Sequence, residues 1–241
     1  MTITTSNSTV GQRERATQAY VVRFFQEALE YGYLGKWQDR AGNSNVEQER
    51  LRRWLWSRGH SDHLITKVLD RLVKATAVGG NRTLYDANRD VYELLRYGVK
   101  VTPDVGEHHV TVWLIDWEEP EANDFAIAEE VTVLGHFDKR PDIVLYVNGI
   151  ALGVLELKRS TVAVAEGIRQ QWSSQRKEFI RPFFATVQLV LAGNETEGLR
   201  YGVIETPEKY WLRWKEAGAA DSMGLRPMPG PKGTGLNLGP P

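Results

Sequence analysis

The dipeptide Asn148-Gly149 lies between two short apolar, β-branched runs, residues 141–147 (PDIVLYV) and 150–157 (IALGVLEL). No other short-range signal specifies a tight hairpin turn as strongly. A β-hairpin here constrains everything that follows. Asp142 stands at the start of its first strand. Glu156 and Lys158 are two apart near the end of the second, and so share one face. Closing the hairpin brings all three side chains to the same end.

A carboxylate in a strand otherwise made of Leu, Val and Ile is costly to bury unless it is paired or binds a metal. Two hard carboxylate oxygens with room for waters suit Mg²⁺. A nearby lysine can hold a metal-bound water or stabilise charge developing on a phosphate. The arrangement therefore points to phosphodiester hydrolysis. The competing explanation is a structural ion pair at the strand ends. It is weighed against the placement of Pro-Asp at the mouth of a hairpin, fourteen residues before Glu-Leu-Lys.

Composition narrows the compartment and the chemistry. The chain has 241 residues, 41% of them hydrophobic and 25% charged, enough for one large domain with a real core. With no cysteine there is no disulfide framework and no thiolate or Cys-based zinc chemistry. The start MTITTSNSTV lacks the form of a signal peptide, and no apolar run approaches a membrane span. A cytoplasmic protein is expected. The net charge of −1 hides an uneven distribution. Residues 46–100 carry eleven Lys/Arg against seven acids, residues 101–157 two against twelve, and residues 158–182 six against two. An acidic strand region that collects cations is thus followed by a basic helix region that can meet phosphates. Within that helix region, Arg169, Arg176 and Lys177 are the expected DNA contacts.

Taken in order, residues 1–11 are Ser/Thr-rich and are expected to be a mobile terminus. A helix is expected over residues 12–31, with Glu14 in its first turn, and a loop over 34–45 by its Gly, Asn and Ser content. Asn45 is a candidate cap for a basic amphipathic helix over 46–58, in which Trp54 and Trp56 read as packing residues. Further helices are expected over 61–78 and 84–97. Strands are expected at 99–102, 109–116 and 125–134, leading into the hairpin. Beyond Lys158 the pattern predicts a helix over 162–180, strands at 183–192 and 199–205, and a short helix over 207–216. From Gly218, six Gly and five Pro in twenty-four residues predict a disordered tail, so the domain is expected to occupy residues 12–217.

Residues 140–158 (RPDIVLYVNGIALGVLELK) resemble the PD-(D/E)XK nuclease core, in the form found at the N-terminus of type I restriction enzyme R (endonuclease) subunits. The resemblance continues through residues 12–17 (QRERAT), Gly32-Tyr33, 112–116 (VWLID), Asn123-Asp124-Phe125 and 199–202 (LRYG). It implies an α/β fold with a mixed central β-sheet flanked by helices. It also implies a Mg²⁺-dependent endonuclease, with Mn²⁺ as a substitute, that cuts double-stranded DNA beside modification and specificity subunits. On this resemblance Asp142 and Glu156 are metal ligands, with the Leu157 backbone carbonyl and Glu14 as further ligands, and Lys158 is the catalytic lysine. Gln170 matches the glutamine of the family's Gln-x-x-x-Tyr motif, but Ser174 stands where the tyrosine belongs. No phosphate loop of the ATP-driven motor that follows in the family is expected within these 241 residues, since GPKGTG lacks its spacing, and a fragment and a truncated coding sequence both stay open. A non-catalytic DNA-binding or docking module on the same fold is the alternative.

Overall fold

The computed structural model describes residues 6–103 and 106–215, with side chains from residue 15 onward. The Gly/Pro-rich tail over 218–241 and the side chain of Glu14 lie outside the described residues. Helix α1 (Ser6–Glu27) starts earlier than the expected Gln12, since no proline interrupts residues 6–27. It also ends earlier than expected. The Tyr31 N–H reaches back to the Phe25 carbonyl at 2.9 Å, the two rings meet edge-on at 5.2 Å, and Glu30 turns the chain at φ 58°. The chain then enters β1 (Gly32–Lys36). The sequence reads as loop there, because GYLGK has neither alternation nor β-branching. Parallel pairing with a later strand, from Gly32 opposite Ala126 onward, overrides that weak local preference.

Helices α2 (Gln48–Ser57), α3 (Asp62–Ala75) and α4 (Leu84–Tyr97) follow. Asn45 does not cap α2; its amide donates instead to the Pro182 carbonyl at 3.1 Å, and Glu47 occupies the cap position. Ser61 caps α3, and Thr83 with Asp86 forms a reciprocal capping box on α4. Leu51, Leu55, Ile65, Val68, Leu72 and Val91 bury the inner faces completely. Trp54 joins this core, but Trp56 is 62% exposed. Two residues apart on a helix face nearly opposite ways, so the two tryptophans cannot both pack inward. The strands β2 (Val99–Val101) and β3 (Val110–Val112) pair antiparallel beside these helices. β3 is shorter than expected because Leu114 and Ile115 leave the ladder to fill the helical core.

The main sheet is built from β1, β4 (Phe125–Glu129), β5 (Ile143–Val147), β6 (Ile150–Leu157), β7 (Leu189–Asn194), β8 (Gly198–Gly202) and β9 (Leu212–Arg213), in that spatial order. It is mixed: β1 with β4 and β6 with β7 are parallel, and the other pairings are antiparallel. The predicted hairpin forms its centre. Asn148 and Gly149 have φ of 52° and 82°, the doubly positive pair of a type I′ turn. Helix α5 (Val164–Ser174) connects β6 to β7 and covers one face of the sheet, while α1 covers the other. It stops six residues short of the expected Ile180. Phe183 and Phe184 are not in a strand: both are buried in the 3-10 turn Arg181–Ala185, and the strand of that region begins only at Leu189. The expected last helix is a 3-10 turn, Glu208–Tyr210, followed by β9.

One irregularity decides which face the charged residues take. Leu145 pairs with Gly153 and Tyr146 with Ala151, so Leu152 is the extra residue of a β-bulge. A one-residue slip exchanges the two faces of a strand. Beyond the bulge, Val154 joins the α5 core, while Leu155 and Leu157 join the α1 core. Glu156 therefore faces α5.

Candidate active site

The register Ile143–Leu155, carried one residue outward, sets Asp142 directly opposite Glu156 at the end of the hairpin. Side chains so opposed share a face, with Cβ atoms about 4.5–5.5 Å apart. Asp142 also has a local task. The Pro141 carbonyl, which lies opposite Leu157, accepts from Val131 N–H at 3.0 Å. The Asp142 Oδ2 atom takes the Leu157 N–H instead, at 2.7 Å. The Pro-Asp pair thus ends one ladder and anchors a carboxylate beside the peptide of Leu157.

Glu156 is buried, at 3% exposure, and its charge is met directly. Lys158 Nζ donates to Glu156 Oε1 at 2.7 Å and to Gln170 Oε1 at 2.8 Å. The fold thus brings Gln170 to Lys158 and Glu156. Ser174, where the family carries tyrosine, turns back to its own helix and donates to the Gln170 carbonyl at 3.0 Å. The side chains of Gln171 and Gln175 are buried and hold backbone: Gln171 donates toward the Val154 and Leu191 carbonyls, and Gln175 accepts from Glu205 N–H at 2.6 Å. Neither belongs to the exposed surface of this segment.

The expected DNA contacts divide. Arg169 is held between Glu166 at 2.6 Å and Glu208 at 3.0 Å, so its charge is locally neutralised. The guanidinium of Arg176 lies 4.8 Å from the Trp172 ring centroid, and Arg176 and Lys177 are both exposed just past the end of α5. Along α1, the Thr17 hydroxyl donates to Glu195 Oε1 at 3.0 Å. Glu195 follows the C-terminal end of β7, which runs parallel to β6, so position 14 of α1 stands at the same end of the sheet as Glu156.

A clamp that sequence reasoning missed fixes the segment after Lys158. Asn194 accepts from the N–H groups of Thr196 and Glu197 at 3.0 and 2.6 Å, and donates to the Val162 carbonyl at 2.7 Å. Glu197 accepts from Val164 N–H at 2.9 Å, satisfying an otherwise orphaned donor at the start of α5. The only sequence signal is the turn-forming Gly-Asn of AGNETEG, which does not reveal its distant partners.

The other resembling residues gather elsewhere. Asn148 donates to the Leu114 carbonyl and to Asn123 Oδ1, and accepts from Asp124 N–H, while Arg50 pairs with Asp124 at 2.6 Å. Residues of VWLID, NDF and the hairpin turn thus form one structural network at the end of the hairpin away from Glu156. The Tyr33 hydroxyl donates to the buried Glu129 at 2.8 Å; burial first, then this carboxylate, pushes Tyr33 up to about 12. It stays a hydrogen-bond donor at neutral pH.

The donor set fits Mg²⁺ better than a softer metal. Among the described residues no group of three or more His, Cys, Asp or Glu is gathered. Asp142 and Glu156 make a two-carboxylate set, and Mg²⁺ binds through one or two carboxylates while keeping several waters. A carboxylate has about four lone-pair sites, so accepting a hydrogen bond and ligating a cation are compatible.

No helix among the described residues is long and apolar enough to cross a membrane. No curated protein matches the chain. The family model for the type I restriction enzyme R protein N terminus matches residues 11–209, a span that takes in α5 and every predicted site residue. The chain belongs to the family of type I restriction enzyme R protein N termini.

Proposed function

We propose that this chain is a divalent-metal-dependent endonuclease domain of the PD-(D/E)XK kind. It acts on double-stranded DNA in the cytoplasm, as part of a complex with modification and specificity subunits. One observation carries the reading: Asp142 opposes Glu156 in register, and Lys158 bonds both Glu156 and Gln170 on the same face. Asp142 and Glu156 hold the Mg²⁺ or Mn²⁺, with the Leu157 carbonyl and Glu14 as further candidate ligands. When bound, the cation supplies Lewis-acid stabilisation of phosphate charge and an acidified water. The Lys158 ammonium has three donors. Two are directed to Glu156 and Gln170, which aims the third at the attacking water or a phosphate oxygen. Gln170 thereby orients the lysine. Arg176 and Lys177, exposed beyond the end of α5, are the cations that meet the DNA backbone.

Nicking of supercoiled plasmid by the 241-residue chain, with Mg²⁺ or Mn²⁺ and with excess chelator, tests the reading. Metal-dependent nicking that disappears in Asp142→Ala, Glu156→Ala and Lys158→Ala is expected. Tight metal-independent DNA binding without cleavage at high protein and metal concentrations would instead identify a docking module.

A further inference from the structure

At Gly167 helix α5 lies close against the sheet, with little room for a side chain. A Cβ placed on Gly167 would stand 3.2 Å from the Ala192 Cβ, 3.5 Å from Lys158 Cγ and 3.6 Å from Glu156 Cγ. Ala192 is the register partner of Glu156 across the parallel β6–β7 pairing. At this one residue the helix backbone thus stands close to both charged stems of the site. Nothing in the backbone demands glycine there, since Gly167 is not among the glycines with positive φ. A glycine inside a helix is intrinsically worse than alanine. The close approach is what it provides. One turn further along α5, Gln170 reaches Lys158 at 2.8 Å, a bond that lengthens if the helix is lifted.

We propose that Gly167 is a positioning residue. Its missing side chain lets α5 sit low enough for Gln170 to hold the Lys158 ammonium over the site, and Ala192 is the matching small residue on the sheet. This rests on the nuclease reading, and the test separates the two. Three variants are compared with wild type: Gly167→Ala, Gly167→Leu, and Gly167→Ala with Ala192→Gly, which removes the nearest obstructing atom. Gly167→Ala is expected to keep or raise the thermal midpoint. It should lower kcat for plasmid nicking about three- to tenfold with KM for DNA unchanged, because sub-ångström misplacement of a catalytic group is costly. Gly167→Leu should lower kcat roughly a hundredfold. The double variant should return kcat to within about twofold of wild type, since it restores the geometry on which the rate depends.

A second readout needs no activity. The side-chain amide resonance of Gln170, assigned by its loss in Gln170→Ala, should shift in Gly167→Ala and return in the double variant. If wild type does not cut DNA, the nuclease reading fails while this resonance still decides the positioning role. An unmoved resonance with unchanged kcat in Gly167→Ala overturns the proposal. So does a loss of kcat that only follows a loss of stability, or a double variant that rescues neither measurement.

Discussion

Lys158→Ala removes the ammonium that stands 2.7 Å from Glu156, whose side chain is 4% exposed. Breaking a buried pair by deleting one partner costs about 3–5 kcal/mol, because the remaining charge is buried without compensation. The Lys158 side chain is itself 13% exposed, so water entering behind the truncated side chain offsets part of that cost. About 2–4 kcal/mol of destabilisation is expected. At roughly 2–4 °C per kcal/mol for a domain of this size, the midpoint should fall by about 4–16 °C. Glu156→Gln keeps an acceptor beside Lys158 and should cost less, about 1–2 kcal/mol. Glu156→Gln combined with Lys158→Met removes both charges and should lie within roughly 1 kcal/mol of wild type. Urea unfolding of the four proteins, followed by tryptophan fluorescence, ranks their stabilities. Mg²⁺ adds a further arm: at about ten times its Kd it should return roughly 1.4 kcal/mol to Lys158→Ala if Glu156 is a ligand. Wild-type stability in Lys158→Ala, or a double variant as unstable as the lysine variant alone, would refute the argument that this pair neutralises the buried carboxylate.

Asp142→Asn keeps an acceptor for the Leu157 N–H and should fold normally while losing calorimetrically detected Mg²⁺ binding. Asp142→Ala should also lose about 1–3 kcal/mol in urea unfolding, because it strands that donor. Neutralising Arg176 and Lys177 together should reduce the slope of log affinity against log salt by roughly one to two in a DNA-binding series, whereas Arg169→Gln, already paired with Glu166 and Glu208, should change it little. Asp86 is held below the ordinary aspartate value first by the Thr83 hydroxyl and then by its backbone N–H. Its contribution to stability is therefore complete above a pH of about 3.9 and is lost as pH falls through the lower folded value. Thermal unfolding across the acid range should show that limb in wild type and a shallower one in Thr83→Ala.

What the sequence made legible was local. Asn-Gly named its own turn, β6 has the bounds its apolar run predicted, and α4 has the predicted ends, begun by the Thr83–Asp86 capping box and stopped at Gly98 with φ 73°. What it hid depends on partners far along the chain. β1 is a strand because β4 lies beside it, and Asn45 is drawn from its cap by a carbonyl at Pro182. Phe183 and Phe184 read as strand since an apolar run carries no period of its own. At the site, the spacing of Asp142, Glu156 and Lys158 was legible because a hairpin converts sequence symmetry into proximity. The neutralisation of Arg169 by Glu208 and the anchoring of α5 by Glu197 were not legible, since each joins residues more than thirty positions apart.

The two ends of the hairpin are held by different means, and the difference suits a site. At the turn, Gly149 is packed so tightly that a Cβ would meet the Glu47 carbonyl at 2.8 Å and the Leu51 nitrogen at 2.9 Å, and backbone groups satisfy one another through Asn148. At the other end side chains take over that work. Asp142 replaces a carbonyl that Pro141 has committed to Val131, just past β4, and Lys158 supplies the charge that Glu156 needs. Side-chain bonds of this kind can be exchanged for a cation, a water or a phosphate oxygen without unmaking the sheet, whereas backbone ladder bonds cannot. The bulge at Leu152 links the ends, because it allows a strand register set at the turn to deliver Glu156 to the α5 face. A change that removed the bulge would leave the turn intact and turn the carboxylate toward the α1 core, away from Lys158's partner Gln170.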